Sequence, residues 1–226
     1  WSSATAYNRG QVLYRIAEIM EGRREQFISE VSDSEGVSSR KAGASVDAAI
    51  DRWVWYAGWA DKYAQVIGNT NPVAGPFFNF SVPEPTGVVA AVAPQDASVL
   101  GLVSVVAPII VAGNAVIVMP SSSRPIPAIT LAECLATSDV PAGVVNILTG
   151  APAEVMPWLA EHADVNALDL TGIVDEGVAA DLERSAAGTV KRVRGAAPHA
   201  DWPATPSLSR IRTLVAVKTG LPPLGV

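Results

Sequence analysis

Between Gly87 and Arg194, short β-branched runs alternate with longer apolar stretches, and this alternation restricts the fold more than any other feature of the chain. Gly87–Ala93, Ala115–Met119, Val144–Leu148, Ala167–Thr171 and Thr189–Arg194 read as strands. Ser98–Ala112, Ile126–Thr137, Ala153–Glu161 and Asp175–Ala187 read as the helices between them. A strand followed by a helix and another strand is a βαβ unit, and such units build a parallel sheet. Right-handed crossovers then give an α/β fold with an open, doubly wound sheet. Ligands of such sheets sit where the strand order reverses, at the carboxyl ends of the central strands. Here the first turn of that kind is VAPQDAS, Val92 to Ser98, with Asp96 at its tip. Gln95 and Met119 stand where they either fill or flank the crevice.

The 226 residues leave room for more than this sheet. Val12, Leu13, Ile16, Ile19, Met20, Phe27 and Ile28 recur at threes and fours, which predicts one helix from Asn8 to Val31, ended by SDSEG. A second helix is expected from Ser45 to Val66. Val46, Ile50, Trp53, Ala57 and Ala60 form one apolar stripe on it, and Trp55 and Trp59 form a second face. A helix apolar on two faces packs on two sides, so the aromatic density reads as core plus interface. Gly, Asn, Pro and aromatics then dominate, and FFNFSV (Phe77–Val82) alternates like an extended arm. The organisation expected is residues 1–66 as helices packing on the sheet domain and 67–85 as the arm. Residues 86–196 form the Rossmann-like domain and 197–226 a tail, all in one structural unit.

Composition excludes several functions. The net charge is −6, and Lys191, Arg192 and Arg194 make too short a basic cluster to track phosphates. A single cysteine forbids an internal disulfide and suits a reducing, cytoplasmic setting. No uninterrupted apolar run reaches about 18 residues, so no membrane span is expected, nor is a signal peptide visible. Trp1 suggests a trimmed or processed start. His162 and His199 lack partners at metal-ligand spacing, so both read as solvent-side residues and no metal is expected. Cys134, between Leu131 and Leu135, reads as core rather than nucleophile. Ser121–Ser123 with Arg124 read as a polar turn rather than a phosphate cradle. No G-x-G-x-x-G fingerprint follows a strand.

Four blocks carry a family resemblance: EPTGVVAAVAP (Glu84–Pro94), AGNAVIVMPS (Ala112–Ser121), VPAGVVNILTG (Val140–Gly150) and the pair Thr171–Gly172 after a strand. In that order and spacing they resemble the aldehyde dehydrogenase superfamily. The resemblance implies an NAD(P)-binding domain with an atypical pyrophosphate site and an oligomerisation arm. It places the cofactor, NAD or NADP, against Ala93, Pro94, Pro120, Ser121, Thr171 and Gly172.

The departures fall on the chemistry. Asp96 stands where the family has the Asn whose amide steadies the oxyanion; a carboxylate accepts hydrogen bonds and repels negative charge. Its expected role is to cap the helix beginning near Ser98. Met119 replaces the family's ribose-binding Lys, and Ile173 replaces a pyrophosphate-binding Ser. Asp175 and Glu176 follow, and acids at a helix start compete with a phosphate for it. VKRVRGAAPHADW lacks the family's general-base Glu, and the nucleophilic Cys belongs to a catalytic domain these residues do not include. No catalytic residue is therefore assigned. The chain resembles the degenerate second domain of long two-domain members, including the segment RIRTLVAVKTGLPPLG. The expected function is a noncatalytic module that assembles with a complete aldehyde dehydrogenase or with itself. The alternatives are an oxidoreductase borrowing catalytic groups from a partner chain, and a dinucleotide-sensing module.

Overall fold

The computed structural model describes residues 1–197 and 200–224, so the reading of His199 lies outside the described residues. The five-stranded sheet is parallel throughout, in the order β5-β4-β3-β6-β7. Its strands are β3 (Val88–Val92), β4 (Ala115–Met119), β5 (Val145–Ile147), β6 (Ala167–Asp169) and β7 (Arg192–Arg194). The connecting helices are α5 (Leu100–Val111), α6 (Ile126–Ala136), α7 (Pro152–Glu161) and α8 (Glu176–Ala187). The chain builds outward from β3 to β5, then returns to β6, so the strand order reverses between β3 and β6.

Alternation along β3 separates two cores. Val89 and Ala91 pack toward α5 and the N-terminal helices, while Ala90 and Val92 pack toward α7 and α8. Every residue of α5 is buried, because the helix lies between the sheet and a further layer. That layer is α1 (Ala6–Gly22), α2 (Arg24–Glu35) and α3 (Ser39–Trp59). The first helix is thus two. At Arg23 (φ −109°, ψ 16°) the backbone leaves the helix after its N–H closes a tight turn on the Met20 carbonyl, and α2 starts afresh. α2 continues through the Ser-Asp-Ser-Glu stretch expected to end it. It stops only at Gly36, whose φ of 65° suits a residue without Cβ. α3 begins six residues before the expected start because Ser38 caps it, accepting the Lys41 N–H. Trp53 and Tyr56 are fully buried, Trp55 and Trp59 half-buried. A short α4 (Tyr63–Ile67) follows rather than a continuous helix to Val66.

The arm and the tail meet. β1 (Asn69–Asn71), β2 (Asn79–Pro85) and β8 (Val215–Gly220) form an antiparallel sheet with β2 in the middle. A polar ladder crosses it: Asn71 Nδ2 donates to Asn79 Oδ1 (3.0 Å) and Ser81 Oγ (2.9 Å), and Ser81 shares a hydrogen bond with Thr219 (2.9 Å). α9 (Ser209–Thr213) leads into β8 and buries Ile211 and Leu214 in the main core. The Asn114 amide donates to the Leu214 carbonyl at 3.0 Å. Arg52 of α3, itself buried, donates to the carbonyls of Trp202 (2.7 Å) and Ala204 (3.0 Å).

One turn stores strain. Past α8, Val190 adopts φ 55° and is 90% exposed, while the Lys191 N–H reaches back to the Ala186 carbonyl. A β-branched residue is costly in this left-handed region, which glycine occupies freely. Val190→Gly is expected to stabilise the protein by about 1 kcal/mol. A urea midpoint unchanged or lowered in the variant would contradict this.

Candidate functional site

The switch point is built from the carboxyl ends of β3, β4 and β6. All six residues assigned to the cofactor converge there. Gly172 donates its N–H to the Val92 carbonyl at 2.9 Å and lies flat against Ala93. The buried Pro94 packs over Gly101, whose missing side chain makes room for the ring. Pro120 and Ser121 follow β4 and are buried beside the turn.

Gln95 occupies the middle of this arrangement. Its Nε2 donates to the Ala93 carbonyl at 2.9 Å, and its Oε1 accepts from the Ser122 N–H (2.9 Å) and the Ser122 hydroxyl (3.1 Å). Its backbone carbonyl accepts from Ser121 Oγ (2.8 Å) and Arg124 Nη1 (3.2 Å). The stretch Ser121–Arg124 is therefore the polar turn expected, and Gln95 is what organises it. Met119 is fully buried below, in one apolar cluster with Val92 and Ile173.

Asp96 does not cap α5, contrary to the expectation. It is exposed, and α5 starts without a side-chain cap; Glu35 of α2 instead holds the turn before it, its Oε1 accepting the Ser98 N–H (2.7 Å) and the Ser98 hydroxyl (2.6 Å). Asp175 does cap α8, accepting the Val178 N–H at 2.9 Å.

A second charged group, invisible in the sequence, lies beside the switch point on β6. Asp169 is fully buried. It accepts from the Thr171 N–H (3.0 Å) and from the Thr171 hydroxyl. Its other oxygen lies 3.4 Å from Arg210 Nη1 and 4.0 Å from Arg194 Nε. Arg210 stacks on the Trp202 ring, 5.2 Å from its centroid. Burial lowers the guanidinium pKa of Arg210, and Asp169 works against that shift. No spacing rule joins Asp169 to Arg210; only the folded tail does.

Tyr56 faces the same group, and burial pushes its phenol up to about 12, partly offset by Arg210 and Arg52. An acid whose folded pKa exceeds its unfolded value, about 10, binds its proton more tightly when folded. Its stabilising contribution is whole below pH ~10 and is lost as pH rises toward 12. The melting temperature is expected to fall across that window, and to fall less in Tyr56→Phe. Equal alkaline slopes in both proteins would refute the assignment to Tyr56.

Cys134 is buried, as expected, and burial pushes its thiol up. Arg23 Nη1 lies 3.9 Å from the sulfur, a cation that no sequence neighbour supplied. His162 is exposed at the end of α7, where its Nδ1 accepts the Asp164 N–H. Among the described residues no group of His, Cys, Asp and Glu is arranged to hold a metal. No described helix is long and apolar enough to cross a membrane.

A model of the aldehyde dehydrogenase family matches residues 1–195. The chain belongs to the aldehyde dehydrogenase family. Cytosolic 10-formyltetrahydrofolate dehydrogenase of Xenopus tropicalis is 33% identical over 198 residues, which cover 85% of this chain and 22% of that protein. Cytosolic aldehyde dehydrogenase 1 of Elephantulus edwardii is 32% identical over 85% of this chain and 38% of its own length. Betaine aldehyde dehydrogenase of Staphylococcus aureus, solved with NAD+, superposes with a TM-score of 0.79 at 26% identity. That superposition covers 85% of this chain and 37% of the enzyme. The aldehyde dehydrogenase portion seen here thus spans well under half the length of these relatives. It matches their Rossmann-like domain and carries a five-stranded parallel sheet.

Proposed function

We propose that this chain is a noncatalytic aldehyde-dehydrogenase-family module that assembles with a complete NAD(P)-dependent aldehyde dehydrogenase, and that its own crevice binds dinucleotide weakly or not at all. The observation that carries this reading is Gln95. Its side chain spans the turn after β3 and consumes the Ser122 N–H and hydroxyl, while its carbonyl engages Ser121 and Arg124. A pyrophosphate seated at this turn would have to compete for these donors. At α8 the Val178 N–H is already taken by Asp175, and two acids repel an incoming phosphate. The Thr171 hydroxyl is committed to Asp169. Met119 and Ile173 offer neither charge nor a hydrogen bond. On this reading the residues present do not fit the group, and Asp96 leaves the turn without an amide for an oxyanion. The half-buried Trp55 and Trp59, the arm and the tail would supply the contacts for assembly. Relatives named cytosolic support a cytoplasmic setting.

Two measurements test this. Native mass spectrometry of the affinity-purified chain is expected to show a full-length aldehyde dehydrogenase in stoichiometric amount; recovery of the chain alone would remove the assembly claim. Titration with NAD+ and NADP+ is expected to give no saturation below about 1 mM, weaker than roughly −4 kcal/mol of binding. A dissociation constant of tens of micromolar would instead support dinucleotide sensing.

A further inference from the structure

The sequence shows three basic residues near β7, and the fold enlarges that group. Arg192 and Arg194 lie on the face of β7 opposite Val193, which packs toward α7 and α8. Asp169 shares the arginine side, and α9 brings in Arg210. Lys191 turns elsewhere, donating to the His162 carbonyl at 2.8 Å. Of the acids, Asp169 is buried against Arg194 and Arg210, and Glu183 of α8 lies near Gly195. A chain of net charge −6 therefore concentrates positive charge at one corner.

That corner is also an open sheet edge. β7 pairs with β6 on one side, and among the described residues no strand lies on the other. The Arg192 N–H donates to the Asn166 carbonyl, and the Arg194 carbonyl accepts from Leu170, so both residues bond inward. In a parallel ladder the residue between them directs its N–H and C=O outward, which leaves those of Val193 for an incoming strand. Charged residues on an edge strand commonly serve to repel such pairing. Arginines serving only that purpose extend into solvent, whereas the Arg194 side chain is 23% exposed. Its buried Nε has no hydrogen-bond acceptor among the described residues, and it shares Asp169 with Arg210. Two half-buried guanidiniums on one carboxylate leave positive charge that an added carboxylate would meet.

We propose that the edge of β7 takes an extended segment of a partner protein that reads acid–aliphatic–acid. The pattern follows from the pleat. Cross-strand neighbours of Arg192 and Arg194 share the arginine face and pair best with carboxylates, while the neighbour of Val193 shares the apolar face. This proposal does not depend on the partner being an aldehyde dehydrogenase.

The test uses the whole chain and a labelled, end-blocked peptide containing Glu-Val-Glu-Val-Glu, followed by fluorescence anisotropy. Saturable binding is expected, weakening about tenfold or more in Arg192→Glu. It should also be lost when the peptide amides facing β7 are N-methylated, and kept when the alternate amides are. The peptide modification leaves the protein untouched, so loss of binding cannot come from misfolding. Absence of saturation, or equal binding by the peptide methylated at either set of amides, would overturn strand addition. Displacement by inorganic phosphate at equal concentration would also overturn it, in favour of a simple anion site.

Discussion

Gly172→Ala is expected to cost about 3 kcal/mol or more and to shift the urea midpoint down by roughly 1 M or more. A methyl at this position would fall inside the carbonyl group of Ala93 and lie 2.8 Å from the Val92 carbonyl oxygen. Both obstacles are backbone of the central strand and its turn, which cannot swing aside as a flexible side chain would. The strand end would have to separate from the turn, breaking the hydrogen bond between Gly172 N–H and Val92. Circular dichroism during urea unfolding reads the outcome, and a wild-type midpoint would show the reasoning to be wrong. The result bears on function. The Thr-Gly pair is one of the four blocks that carry the family resemblance, and backbone packing is enough to require its glycine here. The glycine is therefore required whether or not the crevice binds a dinucleotide.

Asp169→Leu is expected to destabilise the protein by about 3 kcal/mol, because it leaves the half-buried Arg194 and Arg210 without their carboxylate. Adding Arg210→Met should recover part of that loss, since the second change removes one of the stranded cations. Residues in direct contact of this kind couple by roughly 0.5–3 kcal/mol in a double-mutant cycle. Strictly additive losses would mean that the two groups do not interact in solution. The same variant should loosen the tail, which hydrogen exchange reports as faster exchange of the α9 and β8 amides. Unchanged protection there would separate Asp169 from tail docking.

The sheet was legible because its signal is periodic and local. Ala115–Met119 was expected and is found unchanged, and the other strands and helices moved only at their ends. What depended on distant partners was not legible. Met20 and Phe27 fit one helical stripe, so nothing in the spacing revealed the break at Arg23. Asp96 is a sound helix cap by residue type and position, yet Glu35, 63 residues upstream, holds Ser98 instead. The candidate site divides in the same way. Its six positions followed from motif order and do converge. Gln95 was visible as a residue, but its hydrogen bonds to the β4 turn exist only once β3 and β4 are neighbours. The group around Asp169 carried no pattern at all, since it joins two strands to a helix of the tail.

The small sheet formed by the arm and the tail has a consequence for synthesis on the ribosome. β2 is complete at Pro85, but its partner β8 begins only at Val215. At about 5–20 residues per second, the arm waits roughly 7–26 s before that partner is made. During this interval one whole edge of β2 is bare, and the exposed Phe77 and Phe78 lie beside it. The nascent chain is thus open to wrong pairing throughout the time its Rossmann core is being translated. A holding chaperone would be needed at the arm rather than at the core.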